Sequence, residues 1–484
     1  MALRRGTLSD LLSPILVKEL RQGVRGNVFT GAFLLLQGLM VLTMCVMLME
    51  PSSSQGIAWM FWALLIVAVG VLIPLSGIQA VSSENGLKAL EPMLLTKLTA
   101  RNIVFGKWAS LAVQNLVLLV SIAPYFLLRY FLGGLQFTQE FWQVSALIVC
   151  AAVVTAITVG LSAFSISVFF RVLLCIPLTN VAALIIGLFA TQWSNIGTVT
   201  MAAPALAMVM GAFTMLVMLE AGAWQIAPLA DRSFAIARAA SLLLLLILSL
   251  VLGGLHKNVQ ALVVFWAGGL ILLVIVAALC EPQSMIPSAY SRYFGRGFLR
   301  RVAGLFLAPG WGSGVLFAIV ASVSACFALR SALPELTSPV VLVSTVAQVL
   351  LPLVLIPYIT FPRLKRAAWY LVIQVASFSA GTIALVGNGI ESETLTHAAA
   401  WLVPLSPTMG MAIEMDQPEL TPLAVDTLSV IVAGAIVVLT VAQASGVLSR
   451  TMKMVSRRPY AAPAAATAPA AATPEPADER VANL

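Results

Sequence analysis

Windows of about twenty predominantly apolar residues, each long enough to cross the hydrocarbon of a bilayer as a helix, recur through most of this chain. They lie near residues 28–49, 57–81, 103–128, 142–170, 172–191, 199–219, 239–255, 259–279, 313–332, 339–361, 368–387 and 423–447. The repetition predicts an all-α polytopic integral membrane protein of about twelve transmembrane helices. Composition agrees: 60% of the 484 residues are hydrophobic and 10% are charged, against roughly 25% charged in a soluble domain.

Charge sets the expected orientation. If both termini are cytoplasmic, every one of the 27 lysines and arginines except Arg129, Lys257 and Arg330 falls on the cytoplasmic side, as the positive-inside rule requires. Topology therefore accounts for the net charge of +8, and no nucleic-acid partner is expected. The leucines of residues 1–26 are interrupted by charges before any apolar core begins, so a cleaved signal is not expected.

Within residues 1–27, Ser13 can cap a helix whose first residue is Pro14, where the missing N–H costs nothing. Leu16, Leu20 and Val24 then repeat on one side while Lys18, Arg21, Gln22 and Arg25 take the other. Such a helix lies along the membrane interface; a basic flank that only sets orientation explains the same charges. Residues 28–280 hold eight expected spans, with a polar segment at 82–101 between the second and third. A basic amphipathic stretch follows at 281–311, where Arg292, Arg296 and Arg300 are four apart. Residues 312–447 hold four spans and an outer loop at 388–422, and the Pro/Ala-rich 448–484 reads as a disordered cytoplasmic tail.

Much chemistry is excluded. The five cysteines sit in or beside apolar windows and there are two histidines, so neither a metal centre nor a disulfide framework is expected. Gly106-Lys107 does not complete a phosphate-binding loop, because Arg101 stands where the first glycine would be and Trp108 where Ser or Thr would be. With no acid/base pair or nucleophile motif either, the chain is not expected to be an enzyme or to bind a cofactor. Ionisable residues are scarce within the spans, unlike an ion-driven carrier. The polar residues there are neutral, among them Gln37, Gln114, Asn115, Gln348 and Gln374, and hydrogen bonding between helices is their expected use.

The run SENGLKALEPMLLTKLTARNIVFGKW, residues 83–108, is longer than a simple turn needs. Pro92 suits the first turn of a short helix, on which Leu94, Leu95 and Leu98 share an apolar side. Thr99 can cap the next helix, which carries Lys107 into the third span. The leucines can pack under the bundle, dip into lipid, or fill a groove on a partner.

These residues resemble the permeases of type-2 ATP-binding-cassette (ABC) exporters, in particular a bacterial branch that opens with a near copy of Pro14–Gly23, PILVKELRQG. The branch also places a glutamate, a GTLE-like element, an LLLT run and I-V-x-G-K after its second span. Here these are Glu84, KALE ending at Glu91, MLLT at 93–96, and Ile103 to Lys107. Lys88-Ala89, the inserted Pro92 and Lys97 depart from the pattern. The resemblance covers roughly residues 10–135. It implies an N-terminal elbow helix containing Pro14, Lys18, Glu19 and Arg21. It also implies a cytoplasmic coupling helix in which Glu84, Glu91, Leu94, Leu95, Thr96 and Leu98 contact a separate ABC ATPase, with Gly106 and Lys107 at the entry to the third span. ATP and Mg would then be bound by that partner subunit. A second permease subunit, homo- or heteromeric, and a bacterial inner-membrane location are further implications. A stand-alone secondary transporter or flippase and a membrane assembly scaffold are the rival readings.

Overall fold

The computed structural model describes residues 14–49, 54–83, 99–132, 137–164, 202–228, 233–255, 257–283, 290, 293, 298–330, 339–355, 369–370, 372–377, 379 and 423–457. Among these, every regular element is helical. In chain order they are α1 (Pro14–Val24), α2 (Asn27–Met49), α3 (Ser54–Val67), α4 (Ile73–Gly77), α5 (Ala100–Leu132), α6 (Phe137–Ser162), α7 (Ala202–Ile226), α8 (Ala235–Val251), α9 (Lys257–Leu279), α10 (Phe298–Leu307), α11 (Trp311–Leu329), α12 (Pro339–Leu355) and α13 (Leu423–Arg457).

Eight of the described helices are long and apolar enough to cross a bilayer: Phe29–Met49, Met60–Gly77, Ala100–Phe131, Gln143–Ser162, Leu206–Ile226, Ala235–Gly254, Trp311–Ala328 and Val430–Lys453. Two further expected windows contain shorter apolar helices, Val263–Leu279 and Val343–Leu355. The window at 172–191 lies outside the described residues, as does most of that at 368–387. α13 continues past its window at 423–447 to Arg457, and Arg450 and Lys453 are exposed along that extension.

Local sequence explains the irregularities. α3 and α4 form one rod interrupted by a π-helical turn at Ala68–Leu72. Pro74 follows at once, and its missing N–H and ring are accommodated where the ladder is already widened. α6 and α7 cross at glycines: a Cβ on Gly160 would lie 2.3 Å from the Met218 carbonyl oxygen, and one on Gly222 would lie 3.1 Å from Gly160 Cα. Small residues at that crossing permit the backbone contact that drives packing in lipid.

Two apolar cores result. Leu36, Met40, Phe61, Leu65, Val69, Leu118 and Ile122 join α2, α3 and α5 to α6. Phe213, Leu245, Trp266, Val274, Phe317, Leu350 and Ile436 join α7, α8, α9, α11, α12 and α13. α6 and α7 contribute to both and bind the halves together.

Side-chain contacts show which helix ends lie together. The starts of α5 and α8 and the ends of α4, α6, α7 and α9 meet at one end, through Val81–Ser162, Arg101–Glu220, Trp224–Phe234 and Arg238–Glu281. α1 packs there against α5, and α10 sits beside the start of α11. At the opposite end, Phe61 and Trp62 meet Phe126 edge to face, and Arg129 pairs with Glu140.

Candidate functional site at the start of α5

α5 begins where expected. The Thr99 hydroxyl oxygen accepts the Asn102 N–H at 3.3 Å and the Thr99 carbonyl accepts that of Ile103 at 3.2 Å, satisfying donors that a helix start leaves unpaired. Two turns further, Lys107 is 5% exposed and its Nζ lies 3.3 Å from Glu19 Oε1 of α1. Glu19 and Gly23 are one turn apart on α1, as are Lys107 and Leu111 on α5. At Gly23 a Cβ would stand 2.3 Å from Gln114 Nε2, so α1 lies directly along the first part of α5. The structure thus brings together Glu19 and Lys107, which the sequence assigns to separate motifs.

The remaining residues of those motifs are placed as follows. Lys18 and Arg21 are exposed, Pro14 starts α1, and Gly106 is buried beside Lys107. Glu84, Glu91, Leu94, Leu95, Thr96 and Leu98 lie outside the described residues. Both flanks of their segment are fixed, however. Before it, the Val81 N–H donates to Ser162 Oγ of α6 at 3.2 Å; after it comes the Thr99 cap.

α5 makes four further polar links. Arg101 Nε is 2.8 Å from Glu220 Oε1 of α7, and Trp108 Nε1 donates to the Ala152 carbonyl of α6 at 3.0 Å. Gln37 of α2 donates to Ser121 Oγ at 2.7 Å, an interhelical use of the kind expected for such residues, as is Gln348 donating to Ser377 at 3.0 Å. At its far end, Arg129 is 3.4 Å from Glu140 Oε1 and 4.6 Å from the centroid of the Phe61 ring. Burial pushes the Glu140 carboxyl above its ordinary range, and the Arg129 guanidinium opposes that rise. α5 is thereby tied to α1, α2, α6 and α7.

A second charged cluster escapes sequence reasoning. Arg238 of α8 counts as a loop charge in the topology, yet it is fully buried. Its Nη1 donates to the carbonyls of Phe306 at 3.2 Å and Ala308 at 3.0 Å and to Ser313 Oγ at 3.1 Å. Nη2 donates to the Ala278 carbonyl at 3.3 Å and to the Glu281 carboxylate. Glu281 also accepts the Phe234 N–H at 3.2 Å and lies just after α9. Burial pushes its carboxyl upward, opposed first by Arg238 and then by the Gly310 and Phe234 amides. One guanidinium thus clamps α8, the end of α9, the end of α10 and the start of α11. Gly310, in the α10–α11 link, has φ +115°, a conformation that only glycine adopts cheaply. The available signal was weak: a lone Arg and a lone Glu at the edges of apolar windows, forty-three positions apart in sequence.

Among the described residues, no three His, Cys, Asp or Glu side chains are grouped so as to hold a metal ion. Comparison of the chain with protein-family models, with curated proteins and with solved structures finds no match in any of the three.

Proposed function

We propose that this chain is the membrane-spanning subunit of an ABC exporter, moving cargo across a bacterial inner membrane with ATP hydrolysed by a separate subunit. In this reading α1 is the elbow helix, residues 82–101 carry the coupling helix, about twelve spans cross the membrane, and both termini are cytoplasmic. The observation that supports it most is the way the segment 84–98 is flanked. It leaves from Val81, hydrogen-bonded to α6, and re-enters at the cap of α5, the helix that holds α1 through Glu19–Lys107 and α7 through Arg101–Glu220.

A displacement of that segment by a bound ATPase reaches α5 first, and from α5 it reaches α1 and α7 through the Glu19–Lys107 and Arg101–Glu220 pairs. Closure of the ATPase dimer on ATP then moves the start of α5 against the rest of the bundle, a switching transition between two states. The clamp at Arg238 keeps α8 to α11 together as a second body.

The test is co-purification in mild detergent. The wild-type chain retains a soluble P-loop ATPase, and Leu94→Glu or Leu98→Glu releases it while leaving membrane insertion intact. Retention of the ATPase by both variants removes these leucines from the docking surface. Transport by the purified chain alone under an ion gradient, without ATP, overturns the exporter reading in favour of a secondary carrier.

A further inference from the structure

α10 is a short helix set at one end of the bundle. Its ten residues, Phe298–Leu307, measure about 15 Å, half the thickness of the hydrocarbon. Only Ala308, Pro309 and Gly310 separate it from the span α11, and Gly310 at φ +115° breaks the helical path between them. Trp311 opens α11 half-exposed, in the place an indole takes at a membrane–water boundary. α10 packs against α8 and α11, yet Val302, Leu305 and Phe306, which recur at the spacing of one helix side, remain half-exposed. The bundle thus leaves an apolar side of α10 uncovered at headgroup level.

The rest of the helix is basic. By helical spacing, position 301 flanks that apolar side and position 300 is opposite it. Both arginines fall in the first turn, which contains no acid, although the positive end of the helix dipole disfavours cations there. Arg292 and Arg296, outside the described residues, precede them, and no acid occurs between Glu281 and Glu335. Neither α8 nor α11 contains one, and the Glu281 carboxylate is turned inward onto Arg238, so neither neighbouring helix supplies the charge complement of α10. A half-exposed apolar side beside arginines without acids is the pattern of a helix lying in an anionic leaflet.

We infer that α10 docks on a leaflet containing anionic lipid, its apolar side entering the acyl boundary and its arginines taking the phosphodiester headgroups. Lipid bound there also braces the buried clamp. The Phe306 and Ala308 carbonyls at the end of α10 accept from Arg238 Nη1 at 3.2 and 3.0 Å, and a helix held on the leaflet keeps those acceptors in place. A ligand that binds the folded state alone stabilises it. Phosphatidylcholine cancels its phosphate with its own amine, so an anionic lipid is favoured over it by about fivefold for each arginine near the surface. The inference goes beyond the exporter reading and does not depend on it.

The test reads lipid locally. A bimane is attached to Ala303→Cys, an exposed position of α10, in the full-length chain lacking its native cysteines and held in nanodiscs of phosphatidylcholine and phosphatidylglycerol. Each lipid in turn carries a nitroxide just below the headgroup. Quenching is expected to show a local preference for phosphatidylglycerol of about fivefold for each arginine engaged. The preference collapses in Arg300→Gln with Arg301→Gln, survives in Arg300→Lys with Arg301→Lys, and shrinks as salt rises from about 0.1 M to about 1 M. Phosphatidylglycerol also raises the thermal unfolding midpoint of the wild-type chain and not that of the glutamine variant. Equal quenching by the two lipids overturns the inference, and so does a preference that the glutamine variant keeps. Absence of quenching by either lipid places α10 clear of the membrane, on a surface left for a protein partner, and overturns it as well. A preference with no rise in the midpoint refutes the bracing of the clamp. No step needs an ATPase, so failure here is distinct from failure of the exporter reading.

Discussion

Replacing Arg238 by Met separates the cost of a stranded charge from the cost of stranded carbonyls. Arg238 and Glu281 are both fully buried, so removing the guanidinium leaves a carboxylate that water cannot reach. Its cheapest escape is to bind a proton. From an ordinary value of 4.5, protonation at pH 7 costs about 3.4 kcal/mol at about 1.36 kcal/mol per pH unit. The carbonyls of Ala278, Phe306 and Ala308 lose their donor too, at about 1 kcal/mol each. Arg238→Met is therefore expected to destabilise the protein by about 6 kcal/mol at pH 7. Arg238→Met with Glu281→Leu removes the stranded acid and leaves about 3 kcal/mol, since a well-packed apolar pair substitutes for a buried ion pair at little cost. The assay is unfolding in mixed dodecylmaltoside–SDS micelles followed by circular dichroism, from pH 7 down to 5. The single variant should recover about 1.4 kcal/mol per pH unit as protonation becomes cheaper, and the double variant should show no such recovery relative to wild type. Equal destabilisation of the two at pH 7, or a single variant whose deficit does not shrink on acidification, would refute the assignment of a buried charged clamp.

Three other outcomes are expected. Gly23→Leu places a branched side chain where Gln114 lies and should pry α1 from α5, seen as faster proteolysis at Lys18 and Arg21, whereas Gly23→Ala needs only a shift of the flexible Gln114 end and should be mild. Lys107→Met leaves Glu19 without the charge it faces, at about 1–3 kcal/mol for a partly buried pair, and Glu19→Gln with Lys107→Met should recover most of the loss in the same micelle assay. The Glu140 carboxyl is held above its ordinary value of 4.5, chiefly by burial. The folded state then binds the proton more tightly than the unfolded state, so Glu140 contributes a loss of stability as pH rises from about 4.5 through its folded value and nothing below. Glu140→Gln should flatten that part of the pH profile.

Legibility followed the range of the forces involved. The spans were readable because a helix in lipid needs a continuous apolar window, and each of the eight described spans overlaps one of the expected windows, though several run past its ends. The α1 start at Pro14 and the Thr99 cap were readable because each rests on neighbours in sequence. Pairings between distant residues were not. Glu220 and Glu281 look alike in the chain, single acids near the ends of apolar windows. What makes one the partner of Arg101 and the other of Arg238 is the α5–α7 contact and the meeting of α8 with α9, neither of which leaves a periodic signal. Arg129 shows the same limit. A snorkelling arginine and a buried one have identical flanks, and the Phe61 ring and Glu140 that hold it come from two other helices.

The charged residues also divide by what they can do to motion. Arg238 reaches carbonyls at the end of α10 and at the close of α9, so any relative shift of α8 against α10 or α11 must strip a buried guanidinium of several acceptors at once. That is a joint built to stay shut. Glu19–Lys107 and Arg101–Glu220 are single pairs, each with a partner in contact with solvent, and water can replace a lost contact there at low cost. If the molecule changes shape when a partner pulls on the segment before α5, the yielding contacts are therefore those around the start of α5. The helices from α8 to α11 would move as one block against it.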